Sequence, residues 1–153
     1  MVVSEIMTSD VATCAPTADL EHALYVMLER DCGFVPVVTG GGAVVGVVTD
    51  RDICIAIAVH QRVPSQITIA DVMSRPVFSC RDDATVITAL GVMTRHQVRR
   101  LPVVDQQGLL VGVLSLNDVV LAPHRPGGPT ESDVAETLRA ISRHRVVEPA
   151  SAR

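Results

Sequence analysis

Two short motifs in this chain combine a hydroxyl and a carboxylate at a spacing that suits either helix capping or ligand binding. Thr49-x-x-Asp52 and Ser115-x-x-Asp118 each follow an apolar run and open a predicted helix. At a helix start the backbone N–H groups point outward and favour an anion. The carboxylate can close a capping box, or accept hydrogen bonds from paired hydroxyls such as those of a ribose. The residues alone favour capping, and both interpretations stay open.

Both motifs belong to an internal repeat with an offset of 66 residues and no gap. Gly46 precedes the first motif as Gly112 precedes the second, and segment 34–38 aligns with segment 100–104. Such a repeat indicates two copies of one supersecondary unit, each too short to bury its apolar face well. We therefore expect the copies to pack on each other about a pseudo-two-fold axis, and any site to occur twice.

Each repeat is predicted to follow the order β-α-β-β-α, which places the chain in the mixed α/β (α+β) class. The first helix of each copy is predicted to begin with Thr17 or Asp83 as its N-cap, and the last with Thr49 or Ser115. The triplet Gly40-Gly41-Gly42 is predicted to form a hairpin turn that tolerates positive φ. The predicted strands are 11–13, 34–38 and 43–48 in the first copy and 77–79, 100–104 and 109–114 in the second.

The composition argues against several classes of protein. The net charge is −4 and aromatic residues make up 2%, so the chain offers neither a basic surface nor stacking platforms for nucleic acid. All 13 basic residues are arginines, which excludes Schiff-base chemistry and a phosphate-loop lysine. No apolar run is long enough to span a bilayer and no signal peptide is evident, so we expect a cytoplasmic protein without membrane contact.

The four cysteines, Cys14, Cys32, Cys54 and Cys80, show no zinc-binding spacing among themselves or with histidines. We expect them to be small buried residues in a reducing cytosol, with a disulfide or redox switch as the less favoured alternative. The histidines are scattered and indicate no metal site. His96 is predicted to end a helix, where the dipole favours it.

Three segments together resemble the repeats of the cystathionine β-synthase (CBS) domain family. They are 71–74 (Asp-Val-Met-Ser), 96–105 (His-Gln-Val-Arg-Arg-Leu-Pro-Val-Val-Asp) and 46–53 (Gly-Val-Val-Thr-Asp-Arg-Asp-Ile). The resemblance covers residues 3 to about 121, which is two complete repeats. It implies a compact pair, often called a Bateman module, whose cleft holds up to two adenosyl ligands such as AMP, ADP, ATP or S-adenosylmethionine. It implies no required cofactor.

The resemblance also implies which residues form the two sites. In this family the aspartate grips the ribose hydroxyls, the hydroxyl residue and nearby basic residues meet phosphate, and the apolar-Pro step lines the adenine pocket. Arg99 and Arg100 would supply donors to phosphate, with a solvated strand edge as the alternative. The copies differ around these positions, so the sites are not expected to be equivalent. Site one would use Thr13, Val35, Pro36, Thr49, Arg51 and Asp52, and site two Ser79, Leu101, Pro102, Ser115 and Asp118.

The domain boundaries expected from the sequence are a first repeat at 1–60, a linker at 61–68 and a second repeat at 69–122. Residues 123–129 are rich in Pro and Gly and read as a second linker. The segment 130–145 has a capping threonine, early acids and late arginines, which predicts a C-terminal helix that covers its own domain or a dimer mate. Residues 146–153 are expected to be a disordered tail.

Two functions are carried forward from the sequence. The first is a regulatory module that senses an adenosyl ligand, forms a homodimer and signals in trans to an unknown protein partner. The second is a ligand-free structural or stress-response dimer built on the same pair. A catalytic role is not expected, because no nucleophile–base arrangement, second carboxylate pair or metal spacing stands out.

Overall fold

A computed structural model describes residues 1–122 and 126–143, which form a mixed fold of helices and sheets. The helices are α1 Leu20–Glu29, α2 Asp50–His60, α3 Ile69–Val72, α4 Val86–His96, α5 Leu116–Leu121 and α6 Glu131–Ile141. The strands are β1 Phe34–Val38, β2 Val44–Thr49, β3 Cys80–Arg81, β4 Arg100–Val104 and β5 Leu110–Ser115. Short 3-10 turns occupy Val3–Glu5 and Pro64–Gln66. The expected tail, 146–153, lies outside the described residues.

The hairpins match the prediction closely, whereas the first strand of each repeat does not. Strands β1 and β4 have the predicted bounds, and β2 and β5 begin and end one residue late. The predicted strands at 11–13 and 77–79 are wrong, because pairing starts only at Cys14, which bridges Val37, and at Cys80, which pairs in parallel with Val103. Of the glycine triplet, only Gly42 adopts positive φ, at 85°.

The observed helix starts also correct two of the predicted N-cap residues. Helix α1 is capped by Asp19, whose carboxylate accepts from His22 N at 2.9 Å, and not by Thr17. Helix α4 is capped by Thr85, not by Asp83. In each case the true cap is the last extended residue before the helical φ/ψ begins, and only there can a side chain reach the N3 amide.

The pseudo-two-fold axis passes between the two hairpin turns. Ala43 bridges its own repeat mate Leu109, and Leu110 N donates to Gly42 O at 3.0 Å. A bridge of this kind joins equivalent residues of the two copies and therefore lies on the axis. Each hairpin belongs to a separate sheet, β1–β2 in the first copy and β3–β4–β5 in the second.

The two repeats exchange their N-terminal segments. Thr8 bridges Val113 of the second copy, while its mate Ser74 bridges Val47 of the first. The cores follow this exchange, because Val3 is buried in the second core and Ile69 in the first. The N-terminal segment of each repeat therefore completes the core of the other repeat, and the two copies cannot pack independently.

The glycines before the Thr/Ser-x-x-Asp motifs are needed for this exchange. A Cβ placed on Gly112 would lie 2.7 Å from Met7 Sδ and 2.8 Å from the Thr8 carbonyl oxygen. A Cβ on Gly46 would overlap the side chain of Met73, the repeat mate of Met7. Glycine has no Cβ and so allows this close approach, and the approaching chain is the exchanged segment.

Candidate functional site

The two Thr/Ser-x-x-Asp corners have the same geometry. Thr49 N and Oγ1 donate to Asp52 Oδ2 at 2.9 and 2.7 Å, and Asp52 N donates back to Thr49 Oγ1 at 3.2 Å. In the second corner Ser115 N and Oγ both donate to Asp118 Oδ2 at 2.7 Å, and Asp118 N returns a bond of 3.2 Å. Each corner is thus a complete capping box at the start of α2 or α5.

A third box shows how much of this geometry capping alone explains. Thr130 and Asp133, at the start of α6 and outside the repeats, make the same bonds at 2.7, 2.6 and 3.2 Å. The box by itself therefore does not identify a ligand site. Asp52 and Asp118 use only Oδ2, and within the described residues Oδ1 of neither accepts a hydrogen bond. That second oxygen remains available to a ligand hydroxyl.

The strand register sorts the first set of predicted site residues onto two faces of the sheet. Phe34 pairs with Thr49 and Pro36 with Val47, while Cys14 beside Thr13 pairs with Val37. Because side chains alternate along a strand and paired residues share a face, Thr13, Pro36 and Thr49 lie on one face. Val35 lies on the other face and is fully buried in the first core.

The second set follows the same register and adds an arginine. Arg100 pairs with Ser115, and Cys80 pairs with Val103, which places Ser79 beside Pro102. Arg100, Pro102, Ser115 and Ser79 therefore share a face. Leu101 is fully buried in the second core, like its mate Val35.

A small cavity lies between the repeats and reaches Thr13. Its volume is about 220 Å³, and it is bordered by Ser9, Val11, Thr13, Val38, Gly42, Leu110, Val111 and Gly112. Residues of both copies therefore line it. Of the predicted site residues, the structure brings only Thr13 to this cavity.

Three of the predicted site residues are arginines that form no ion pair in the part of the chain that the structure describes. Within the described residues Arg51, Arg99 and Arg100 make no ion pair, in contrast to Arg30 with Asp10 at 2.9 Å and Arg81 with Asp83 at 2.7 Å. A guanidinium left without a carboxylate can donate a forked pair of bonds to phosphate.

The two sites differ electrostatically around Gly33. A Cβ on Gly33 would lie 2.6 Å from Asp50 Oδ2, so an acidic side chain occupies this place in the first copy. The equivalent positions in the second copy are Arg99 and Leu116, whose backbones are joined by a bond of 3.0 Å from Leu116 N to Arg99 O. The second corner therefore lacks the acidic side chain that lies beside the first. The sequence shows that Arg99 and Leu116 replace Gly33 and Asp50 in the second repeat, but it does not show that Asp50 lies against Gly33.

One aromatic contact beside the second site was not predicted. Phe78, which precedes Ser79, stacks on His96 with ring centroids 3.7 Å apart and an angle of 12° between the planes. His96 ends α4, as the sequence predicts. No local pattern links two residues 18 positions apart, so only the tertiary structure could show this pair.

The cysteines are free thiols with different exposure. Cys14 and Cys80 are buried as predicted, Cys32 is half-buried, and the prediction is wrong for Cys54, which is exposed on α2. Burial raises the pKa of the Cys80 thiol to about 11. Burial, with a smaller contribution from Cys32, raises the pKa of Cys14 to about 11 as well. Within residues 1–122 and 126–143, no group of three or more His, Cys, Asp or Glu residues is placed to hold a metal.

The fold and its duplicated corner define a tandem-repeat module with a cleft on a pseudo-two-fold axis. The CBS domain family model matches residues 3–59 and 69–125. The chain therefore belongs to the CBS domain family and carries two copies in tandem. None of the helices in the described part has both the length and the apolar character needed to cross a membrane.

Known relatives include both short and long proteins. The chain is 35% identical over 119 residues to the CBS domain-containing protein YhcV of Bacillus subtilis, covering 78% of this chain and 83% of YhcV. It is 32% identical over 118 residues to an uncharacterized protein of Methanopyrus kandleri, covering 77% of this chain and 60% of that protein. Relatives named homoserine O-acetyltransferase or inosine-5'-monophosphate dehydrogenase are longer proteins, and the chain matches 23–24% of their length. The CBS pair is thus only a part of those enzymes.

Solved structures of similar chains include one with a bound nucleotide. CBSX2 of Arabidopsis thaliana in complex with AMP has 28% identity and a TM-score of 0.67, covering 78% of this chain and 92% of that one. Hypoxic Response Protein I, solved with two coordinated zinc ions, has 28% identity and a TM-score of 0.73, covering 80% of this chain and all of that one. A CBS domain pair solved with 5'-methylthioadenosine and S-adenosyl-L-methionine, at 24% identity and a TM-score of 0.71, shares the fold.

Proposed function

We propose that this chain is a regulatory module that binds an adenosyl ligand in the cleft between its CBS repeats and passes a signal in trans to a protein partner. AMP, ADP, ATP and S-adenosylmethionine are the candidate ligands. CBSX2 with AMP supports this class of ligand, because its fold and sequence are similar to those of this chain. We place the protein in the cytoplasm and propose that it acts as a homodimer without catalytic activity.

One observation carries the proposal. In the second repeat Ser115 and Asp118 form a corner, and within the described residues Oδ1 of Asp118 accepts no hydrogen bond. Arg100 lies opposite Ser115 on the neighbouring strand and forms no ion pair with any described residue. A carboxylate oxygen suits a pair of ribose hydroxyls, and a nearby guanidinium suits a phosphate. The arrangement joins both recognition elements of a nucleotide on one surface.

The second site is proposed as the stronger of the two. In the first copy the carboxylate of Asp50 lies where a Cβ of Gly33 would be, which places a negative charge beside the first corner. A phosphate there would meet repulsion, while Arg99 and Arg100 offer positive charge in the second copy. S-adenosylmethionine has no phosphate and carries a positive sulfonium, so it would not share this preference for the second site.

The alternative function, a ligand-free structural dimer, has its own supporting observation. Thr130 and Asp133 form the same capping box outside the two repeats. Both Thr/Ser-x-x-Asp corners would be fully explained by helix capping if the cleft bound nothing.

Thermal unfolding of nucleotide-free protein separates the two functions. A ligand at about a hundred times its Kd adds about 2.7 kcal/mol to the free energy of unfolding. For a chain of this size, about 1 kcal/mol corresponds to a midpoint shift of about 2–4 °C. We expect a stabilising shift with at least one of AMP, ADP, ATP and S-adenosylmethionine. The absence of a shift with all four would refute the proposal and favour the structural dimer.

Three aspartate variants assign the site and separate capping from binding. Asp118→Ala, Asp52→Ala and Asp133→Ala each remove one capping box, so each should lower stability by about 1 kcal/mol. Only Asp118→Ala should also abolish the shift produced by a nucleotide, and Asp52→Ala should reduce it less. Asp133→Ala is the matched control, because its box is equivalent and lies outside the repeats. Loss of the shift in Asp133→Ala as well would show a global effect and contradict the assignment to Asp118.

A further inference from the structure

Helix α6 runs beside α4 in the same direction. Thr94 Oγ1 of α4 donates to Thr137 Oγ1 of α6 at 3.4 Å, and Gln97 Nε2, just past the end of α4, donates to Ala140 O at 3.1 Å. Between these two contacts the position advances by three residues in each segment, from 94 to 97 and from 137 to 140, so the helices are parallel. Gln97 Nε2 also donates to Arg143 O at 3.2 Å, which holds the two C-terminal ends together.

This arrangement gathers four arginines at one end of the molecule. Arg95 lies in the last turn of α4 and Arg139 in the last turn of α6. Arg99 and Arg143 follow the ends of the same helices by three and two residues. All four are exposed, and we call them the arginine cluster. The net charge of −4 predicts no basic surface, and the tertiary structure corrects that prediction at this end of the second repeat.

The chain segments that carry the cluster contain no acidic residue. Neither 86–104 nor 137–143 includes Asp or Glu. The nearest acids along the chain are Glu136, one turn before Arg139, and Asp105, whose carboxylate accepts from backbone amides in the turn between β4 and β5. None of the four arginines forms an ion pair with a described residue. The described part of the chain therefore leaves this positive charge without a bonded counter-charge.

Helix dipoles explain only half of the cluster. A basic side chain in the last turn of a helix faces the negative end of the dipole, which accounts for Arg95 and Arg139. The effect falls off within that turn, so it gives no reason for Arg99 and Arg143, which lie outside the helices. Like charges held close together also repel one another. An anionic partner would remove this repulsion.

We propose that the arginine cluster is the docking surface for an acidic segment of a partner protein. The proposal rests on the proposed function for the existence of a partner in trans, and it names the chemistry of that partner. A guanidinium presents a planar fork of donors that matches a carboxylate. Packed helices have axes about 8–10 Å apart, so the cluster is wider than one anionic group and suits several Asp or Glu side chains along a chain.

Other polyanions fit the surface less well. Single-stranded nucleic acid binds through aromatic stacking platforms, and segments 86–104 and 137–143 contain no Phe, Tyr or Trp. An extended anionic surface, such as duplex DNA or a membrane, is repelled by the net charge of −4. A short acidic segment meets mainly the charges within a Debye length, about 8 Å at physiological salt.

The cluster lies beside the second candidate site. Arg99 O accepts from Leu116 N at 3.0 Å, at the start of α5, and the next residue, Arg100, pairs with Ser115 across the strands. An acidic segment on the cluster would therefore lie close to the corner that Ser115 forms with Asp118. This position brings the partner next to the ligand site whose occupancy it would sense.

A labelled peptide of about ten glutamates is the probe, titrated with the full chain and followed by fluorescence anisotropy. We expect binding at about 50 mM salt that weakens at about 300 mM, because salt screens exposed charges. Arg143→Glu should weaken binding about three- to tenfold, since it replaces an attraction by a repulsion. The matched control is Arg62→Glu, which should change the affinity less than about twofold. Arg62 is also exposed and also lies two residues beyond the end of a helix, α2.

Arg95→Glu repeats the test from the α4 side, and it decides the outcome if circular dichroism shows that Arg143→Glu has lost helix content. A peptide that does not bind the unaltered chain would overturn the proposal. So would equal losses in the folded cluster variant and in Arg62→Glu, or tighter binding of single-stranded DNA or of phosphatidylglycerol vesicles than of the peptide. The titration contains no nucleotide, so its failure is distinct from a failure of the proposed function, which the thermal shift detects.

Discussion

Substitution of the two glycines at the exchanged segments should have unequal effects, although the repeats are equivalent. A Cβ on Gly112 would lie 2.8 Å from the carbonyl oxygen of Thr8, which accepts a hydrogen bond of 2.9 Å from Val113 N. A Cβ on Gly46 meets only the side chain of Met73 among its nearest atoms. A side chain can rotate away, whereas a paired carbonyl moves only if its bridge breaks.

The structure sets the magnitudes. Overpacking costs about 1–3 kcal/mol, and loss of a backbone hydrogen bond adds about 1 kcal/mol. Alanine recovers about 0.5–1 kcal/mol relative to glycine, because it restricts the unfolded chain. We therefore expect Gly112→Ala to lower the free energy of unfolding by about 2 kcal/mol and Gly46→Ala by about 1 kcal/mol or less.

Double variants separate the two mechanisms. Met73→Ala removes Sδ and Cγ, the two nearest of the atoms that a Cβ on Gly46 would meet, so the double variant should be more stable than the sum of the single effects by about 1 kcal/mol. Met7→Ala leaves the Thr8 carbonyl in place, and its coupling to Gly112→Ala should stay below about 0.5 kcal/mol.

Urea unfolding followed by far-ultraviolet circular dichroism is the appropriate assay, because the chain has no Trp. Equal costs for the two glycine variants, or a full rescue of Gly112→Ala by Met7→Ala, would refute the reasoning. Either result would mean that the N-terminal segment of the first repeat does not hold Thr8 against β5 as described.

Two further predictions concern a helix cap and a buried thiol. Asp19→Ala should lower the free energy of unfolding by about 1 kcal/mol, and Thr17→Ala should leave it within a few tenths, because only Asp19 caps α1; equal effects in urea unfolding would contradict this. The pKa of Cys80 is about 11 in the folded chain against an ordinary 9.0, so its contribution to stability is complete below pH 9 and is lost as the pH rises toward 11. Unfolding free energies measured from pH 8 to 11 should fall less steeply in Cys80→Ala than in the unaltered chain, and equal slopes in the two proteins would contradict this.

Much of the fold follows from local patterns in the sequence. The repeat at a fixed offset predicted two equivalent hairpins, and strands β1 and β4 have the predicted bounds. Thr49 and Ser115 cap their helices as predicted, because a hydroxyl and a carboxylate three residues apart can satisfy the first amides of a helix wherever they occur. The wrong predictions of Thr17 and Asp83 as N-caps also arise because capping depends on local sequence. Several residues there are chemically able to cap, and the structure chooses the one at the true helix start.

The candidate site depended more strongly on tertiary structure. The family resemblance indicated Val35 and Leu101 as pocket residues, the sheet register places the side chains of both in the cores, and their role in binding stays a prediction. The position of Asp50 against Gly33 also has no local signal, because it depends on how a helix start meets the preceding strand. The roles proposed for Arg100 and Asp118 stay predictions until a ligand is measured.

The sequence by itself determined that the chain is a tandem pair with two capped corners, since periodicity, turn glycines and caps are encoded within a few residues. Only the tertiary structure decided that Thr8 and Ser74 cross to the opposite repeat, and that α6 packs on α4 of the second repeat while Leu24 of the first stays exposed. Those outcomes join residues far apart in the chain, and nothing in a local pattern says which of two nearly identical surfaces a distant segment will cover. Packing free energy, summed over the whole molecule, makes that choice.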